Sequence, residues 1–211
     1  MADPGIGAAL ARAGTDELVL ATLSDEEYRT LWAHELLEKD ADNLPWLLLT
    51  LRSLVAKGLA EPDETGDQVK FGPALSMIRQ VRDAGVPFAT VTWGTTQVRL
   101  FPMAEGTVLA QRRSSFGVSA FSIRPTVAAL REVVAQASGD VAARNGEAIV
   151  ELRDPRTPDR PVAATAALLS DGAGGVWRLD QQPGADRVTI DDHSSSQLTR
   201  LLRDWLTAPA A

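Results

Sequence analysis

The spacing of apolar positions divides the chain into a helical first part and a strand-rich remainder. Before residue 85, apolar residues recur every three or four positions, which predicts helices over residues 24–39, 43–58 and 73–84. The polar segment 60–70, between the second and third of these, is typical of a loop or a short hairpin. From residue 86 onwards the period shortens to two, which indicates β-strands.

Residues at the helix ends support the first two helices. Ser24 and Glu27 have the spacing of a capping box, in which each side chain accepts a hydrogen bond from the other residue's backbone. The second helix is expected to begin after Asn43 and to end at Gly58, which suits the left-handed conformation found after many helices. Its first half, residues 45–51, is apolar around almost the whole circumference. Such a helix either lies in the core or covers a partner surface, and burial preferences favour the core.

Two strand-rich stretches follow, and each is closed by an amphipathic helix. The first has about four strands between residues 86 and 123, followed by a helix over residues 126–136 with Val127 facing inward. The second has strands and a last helix at residues 147–153, 162–169, 175–180, 187–190 and 194–206. The shared order of elements indicates a duplicated unit, joined into one sheet or into two facing sheets.

These elements predict an α+β fold. A helical, winged-helix-like N-terminal part is followed by two pseudo-repeated antiparallel β-meander plus helix units. The corresponding segments are residues 1–85, 86–138 and 139–211, which are expected to share one compact domain of 211 residues.

Composition narrows the chemistry that the chain can perform. There is no cysteine, which removes disulfides, thiolate metal sites and thiol nucleophiles. His34 and His193 are the only histidines, too few for an imidazole-rich metal centre. No metal and no cofactor is expected. The sequence has neither a signal peptide nor an apolar run of about 20 residues, so we expect a cytoplasmic protein without a membrane span.

The charged residues are unevenly distributed, within a net charge of −7 that argues against nucleic-acid binding. Residues 1–69 contain 5 Lys and Arg against 14 Asp and Glu, whereas residues 70–132 contain 8 against 3. Either these two blocks attract each other within the fold, or one of them faces a partner. The sequence leaves both possibilities open.

Polar clusters that resemble catalytic motifs have simpler structural explanations. The run Asp-Asp-His-Ser-Ser-Ser at residues 191–196 offers an acid, a base and a nucleophile, but catalytic triads are assembled from separate parts of a fold. We interpret it as the cap of the last helix. The Gly-rich residues 171–175 precede a strand rather than a helix, so they indicate a turn and not a phosphate-binding loop. The protein is therefore predicted not to be an enzyme.

Exposed aromatic residues are the candidates for contacts with a partner protein. Aromatic side chains are enriched in protein–protein interfaces, and exposed apolar patches mark such sites. The candidate partner-binding residues, on the predicted sheet and its loops, are Trp93, Phe101, Phe116 and Trp177.

One segment and the element order together resemble a known family. Residues 51–59, Leu-Arg-Ser-Leu-Val-Ala-Lys-Gly-Leu, end the second helix and precede a small helix, a meander, a helix and a second meander. This layout is similar to that of the EspG-type chaperones of actinobacterial type VII (ESX) secretion systems. The resemblance implies a quasi-two-fold protein, with a central sheet and flanking helices, that binds a secreted PE–PPE-type heterodimer and covers its hydrophobic tip.

The sequence thus predicts a non-enzymatic chaperone or adaptor that binds an apolar-faced helical partner. The alternative is a winged-helix transcriptional regulator with a C-terminal effector-binding domain. The acidic first third argues against this alternative, as does a second helix whose cations are only Arg52 and Lys57, because a recognition helix must approach phosphates.

Overall fold

A nine-stranded antiparallel sheet forms the centre of the part of the chain that the computed structural model describes. The described residues are 17–32, 44–65, 68–104, 106–144, 147–153, 164–170, 175–181 and 190–193. The strands are β1 (Leu18–Ser24), β2 (Ala60–Pro62), β3 (Val69–Phe71), β4 (Ala89–Trp93), β5 (Thr96–Pro102), β6 (Thr107–Arg113), β7 (Val118–Pro125), β8 (Glu147–Leu152), β9 (Ala164–Ser170), β10 (Gly175–Gln181) and β11 (Ile190–His193). The helices are α1 (Asp25–Thr30), α2 (Leu44–Ala56), α3 (Pro73–Ala84) and α4 (Thr126–Arg144). This mixture of helices and strands confirms the α+β class.

Two four-stranded meanders lie side by side in the large sheet. The strand order is β1-β7-β6-β5-β4-β8-β9-β10-β11, and β2 and β3 form a separate hairpin. The meanders join where β4 pairs with β8, in a ladder that places Val91 opposite Val150. Of the two arrangements that the sequence left open, the structure therefore has the single sheet.

Helix α4 packs on one face of this sheet. Leu130, Val134 and Ala137 are fully buried against strand residues such as Val91 and Leu100. Helix α4 continues to Arg144, eight residues beyond its predicted end. Val127, which was expected to face inward, is exposed, so that prediction is wrong.

The N-terminal elements pack on the opposite face of the sheet. Phe101 and Leu109 project there because successive strand residues point to opposite faces. They form a second core with Leu23 of β1, Leu54 of α2 and Leu75 of α3, all of them buried. Burial of side chains of this size contributes roughly 1.5–3 kcal/mol each, so this core fastens β1, α2 and α3 to the first meander.

Helix α1 begins with the capping box that the sequence predicted. The Glu27 N–H donates to the Ser24 hydroxyl at 3.2 Å, and the Ser24 N–H donates to the Glu27 carboxylate at 2.8 Å. The helix ends at Thr30 and not near residue 39. Residues 33–43, which include the end of that prediction, His34 and Asn43, lie outside the described residues.

Helix α2 ends at Ala56, and Gly58 follows it as the left-handed residue that the sequence predicted. Gly58 has a φ of +68°, and its N–H donates to the carbonyl of Val55 at 2.9 Å. The N–H of Leu59 donates to the carbonyl of Leu54 at 3.0 Å, which completes a Schellman motif. The β2–β3 hairpin follows directly, where the sequence predicted a loop or a short hairpin.

Two elements differ from the sequence analysis. Strand β1 was not predicted; it pairs with β7 along the edge of the sheet, so the N-terminal part is not purely helical. Strand β11 includes residues 191–193, which were interpreted as part of a helix cap. The predicted last helix, residues 194–206, and the Gly-rich turn at residues 171–174 lie outside the described residues.

Candidate functional site

Trp93 is part of the core and not of the surface. Its side chain is 3% exposed, and its indole N–H donates to the carboxylate of Asp140 on α4 at 3.0 Å. The guanidinium of Arg112 lies 5.9 Å from the centre of its ring. The prediction that Trp93 contacts a partner through exposed aromatic surface therefore fails, because α4 covers it.

Phe101 is buried in the second core. The guanidinium carbon of Arg82, from α3, lies 4.5 Å above the centre of its ring. Phe101 thus supports an arginine of the N-terminal part and presents no apolar surface of its own. It too is removed from the candidate partner contacts.

Phe116 is the candidate whose side chain is shown to be exposed, at 91%. It lies in the turn between β6 and β7, on the rim of an open concavity of about 520 Å³. Thr95, Asp140 and Glu147 also line this concavity. Phe116 therefore stands at the rim of a concavity that carries hydroxyl and carboxylate groups as well as apolar side chains.

Trp177, the fourth candidate, lies on β10. Its backbone pairs with Leu168 on one side and with His193 on the other. Leu168 in turn pairs with Ala148, and Ala148 with Trp93. Trp177 thus occupies the same register row as Trp93, three strands away across the sheet.

The outward side of α2 exposes three leucines in a helix for which the sequence analysis favoured the core over a partner surface. Leu44, Leu48 and Leu49 are 47%, 46% and 66% exposed, although the apolar segment 45–51 was expected in the core. That expectation holds for one side of the helix only. The signal was Arg52, which follows Leu48 by four positions and therefore marks the outward side.

Polar contacts on the inner side of α2 fix which face points outward. The buried hydroxyl of Thr50 lies 2.7 Å from that of Thr30 on α1, and it donates to the carbonyl of Leu47 at 2.9 Å. The Glu27 carboxylate accepts from the Ser53 hydroxyl at 2.6 Å and from the Lys57 ammonium at 2.7 Å. A rotation of α2 about its axis would break all of these bonds.

Glu27 supplies a buried carboxylate to this contact between α1 and α2. Burial by itself raises the pKa of Glu27, but the hydrogen bonds from Lys57, Ser53 and the Ser24 N–H lower it further than burial raises it. The pKa of Glu27 therefore lies below its ordinary value, and the side chain is ionised at neutral pH.

Charge pairs between the acidic and basic blocks hold the N-terminal part on the sheet. Arg113 of β6 forms an ion pair with Asp25 at the start of α1. Arg124 of β7 bonds to Glu17 at 2.6 Å and also to Glu132 of α4. The hydrogen bond from Arg124 is the main reason that the pKa of Glu17 is lowered. The two blocks thus attract each other within the fold, one of the two possibilities that the sequence left open.

No match to a known protein accompanies this geometry: no family model, no curated protein and no solved structure matches the chain. Within the described residues, no group of three or more His, Cys, Asp or Glu side chains is arranged to hold a metal ion. None of the described helices is both long and apolar enough to cross a bilayer. Among the described residues, the exposed leucines of α2 are the most distinctive surface to which a partner could bind.

Proposed function

We propose that this protein is a non-enzymatic, cytoplasmic chaperone or adaptor that binds an apolar-faced helical partner protein. The observation that carries the proposal is the exposure of Leu44, Leu48 and Leu49 along the outward side of α2. Exposed apolar surface of this kind is costly in water and marks sites of protein association.

The dimensions of the surface suit a helix as partner. Helix α2 has 13 residues and is therefore about 20 Å long. Leu44 and Leu48, four positions apart, lie on one ridge of the helix surface, which can pack into a groove of a second amphipathic helix, and Leu49 flanks this ridge. Arg52, which is exposed on the same side, adds one positive charge and favours an acidic residue at the corresponding position of the partner.

The topology supports the more specific form of the proposal. Two meanders joined at β4 and β8, with helices on the sheet, agree with the quasi-two-fold layout that the resemblance to EspG-type chaperones implies. On this basis we propose that the meanders are duplicated units and that the partner is a substrate of type VII secretion. No catalytic residue, metal or cofactor belongs to this proposal.

The test is an affinity capture from native lysate with matched variants. The double variant Leu48→Gln/Leu49→Gln removes two of the three exposed leucines of α2, while Val127→Gln alters an apolar residue on α4 that is about as exposed as Leu48. Wild type and Val127→Gln are expected to retain one helical partner at 1:1 stoichiometry, and the double variant to lose it. Unfolding curves of all three proteins establish that the loss does not arise from instability.

Two outcomes contradict the proposal. Capture of the same partner by the double variant shows that the outward side of α2 is not the binding surface. Recovery of DNA that dissociates as salt is raised, without any stoichiometric protein, favours the winged-helix regulator instead.

A further inference from the structure

Arg82 is held in a fixed position over the sheet. Its Nε donates to the hydroxyl of Tyr28 at 2.5 Å, and its guanidinium carbon lies 4.5 Å from the ring centre of Phe101 and 5.9 Å from that of Tyr28. Tyr28 is itself fixed by stacking on Phe121, with the ring centres 5.4 Å apart. Because Nε is occupied, the two terminal nitrogens of Arg82 remain available, an edge that matches carboxylate and phosphate oxygens.

Arg99 precedes Phe101 by two positions on β5, so it lies on the same face of the sheet as the ring that the Arg82 guanidinium covers. It is partly buried, since Thr90 of β4 and Gln111 of β6 flank it in the ladder. Burial lowers the pKa of Arg99, and the positive charge of Arg82 lowers it further. This direction agrees with the position of both guanidinium groups on the Phe101 side of the sheet.

Neither arginine has a carboxylate partner among the described residues. The other arginines near this face do: Arg79 pairs with Asp83 at 3.6 Å, and Arg113 pairs with Asp25. Glu151 attracts Arg99 from β8 without forming an ion pair to it in the described part of the chain. Among the described residues, the guanidinium groups of Arg82 and Arg99 therefore take no part in the ion pairs between the acidic and basic blocks.

Gln111, beside Arg99 in the ladder, has a buried acceptor without a hydrogen-bond partner in the described part of the chain. Its Nε2 donates to Ser119 at 3.2 Å, but its buried Oε1 accepts no hydrogen bond from any described atom. Arg99 is the direct cross-strand neighbour of Gln111 and is a donor with five N–H groups. Arg99 thus makes no hydrogen bond to the Oε1 of its direct neighbour.

We propose that Arg82 and Arg99 together bind an oxyanion group, a phosphate or a carboxylate. The anion accepts from the terminal nitrogens of Arg82 and from the guanidinium of Arg99, and it offsets the repulsion between the two cations. The Tyr28 hydroxyl and the Phe101 ring keep Arg82 in place when the site is empty. This site is independent of the apolar side of α2.

The composition of the chain provides a direct probe of the site. Tyr28 is the only tyrosine among the 211 residues, so selective ¹³C labelling of tyrosine at Cζ gives a single NMR signal from the residue that bonds to Arg82. The full-length protein is titrated with inorganic phosphate at pH 7, and separately with sodium chloride at the same ionic strength. A saturable shift with phosphate, absent with chloride, is expected.

Three variants localise the effect. Arg99→Gln is expected to raise the phosphate Kd by about tenfold or more, because it removes a charged hydrogen-bond donor. Glu151→Gln is expected to lower the Kd, because it removes the carboxylate that attracts Arg99. Arg79→Gln, on the same helix as Arg82 but paired with Asp83, is the control and is expected to leave the Kd unchanged.

Parallel titrations with sulfate and acetate distinguish the two sources of the oxyanion. Tighter binding of sulfate identifies a phosphate-type ligand, and tighter binding of acetate identifies a carboxylate. The proposal is overturned if phosphate and chloride shift the Tyr28 signal equally. It is also overturned if Arg99→Gln, with a wild-type near-UV circular dichroism spectrum, binds phosphate as the wild type does.

Discussion

Replacing Glu27 by glutamine tests the polar contact between α1 and α2. The glutamine keeps the size of the side chain and an acceptor for the Ser24 N–H, but it loses the charge that bonds to Lys57 at 2.7 Å. It also presents an amide donor toward the Lys57 ammonium or the Ser53 hydroxyl. The exchange therefore removes one charge-assisted bond from a buried position.

The structure sets the size of the expected loss. A hydrogen bond to a charged group contributes roughly 1.5–3 kcal/mol, and breaking a fully buried ion pair costs roughly 3–5 kcal/mol. The side chain of Glu27 is only 4% exposed, but that of Lys57 is 44% exposed, so solvent screens the pair and the lower range applies. We expect Glu27→Gln to reduce the free energy of unfolding by about 2 kcal/mol at pH 7.

The sign of the pH dependence follows from the lowered pKa of Glu27. A carboxyl group whose pKa is lower in the folded state stabilises that state above its unfolded pKa, here the ordinary value of 4.5. This stabilisation is lost as the pH falls through the folded pKa. The difference in stability between wild type and Glu27→Gln is therefore expected to shrink as the pH is lowered from 7 to 3.

Urea unfolding followed by the fluorescence of the five tryptophans measures this difference at each pH. Glu26→Gln is the matched control, since Glu26 is the exposed neighbour on the same helix and its replacement changes the net charge equally. It is expected to alter stability by less than about 0.5 kcal/mol. An equal effect of both variants, or a difference for Glu27→Gln that does not change with pH, would refute the reasoning.

The remaining predictions use the same unfolding assay. Gly58→Ala is expected to destabilise the protein by about 1–2 kcal/mol, because alanine is strained at a φ of +68°. Gly139→Ala, inside α4 with nothing within 4 Å of the added carbon, is expected to stabilise the protein by about 0.5–1 kcal/mol. If both glycine variants changed the stability in the same direction, the left-handed conformation of Gly58 or the helical one of Gly139 would be wrong. Leu54→Ala is expected to cost about 2–5 kcal/mol, because its side chain is fully buried. Leu48→Ala, on the opposite side of α2, is expected to cost less than about 0.5 kcal/mol, and similar losses would show that the sides of α2 are assigned wrongly.

Features that depend on neighbours in the sequence were predicted well. The capping box at Ser24 and the left-handed Gly58 involve residues within five positions of each other. Helix α3 was predicted with the bounds that the structure has, because Pro73 and Gly85 delimit its periodic segment. Strands β4 to β7 were predicted because short turns connect them.

Features that depend on distant pairing were not predicted. Strand β1 is a strand because β7 supplies its partner, and nothing within the segment itself distinguishes it from a loop or a helix. Trp93 and Phe101 lie on predicted strands, but the residues that cover them, on α4 and α3, are remote in the sequence. The proximity of Arg82 and Arg99 likewise arises only when α3 is placed on the sheet.

Strand β1 also constrains the order in which the chain folds. Leu18 pairs with Ile123, about a hundred residues later, whereas the hairpins of β4 to β7 close over short turns. Because long loops close at a greater entropic cost, the β1–β7 ladder is expected to form after the first meander. During synthesis, β1 leaves the ribosome well before its partner strand exists. The apolar residues Leu18 and Val19 therefore lack their strand partner until β7 has been translated, and an unpaired apolar strand is prone to misassociation during that interval.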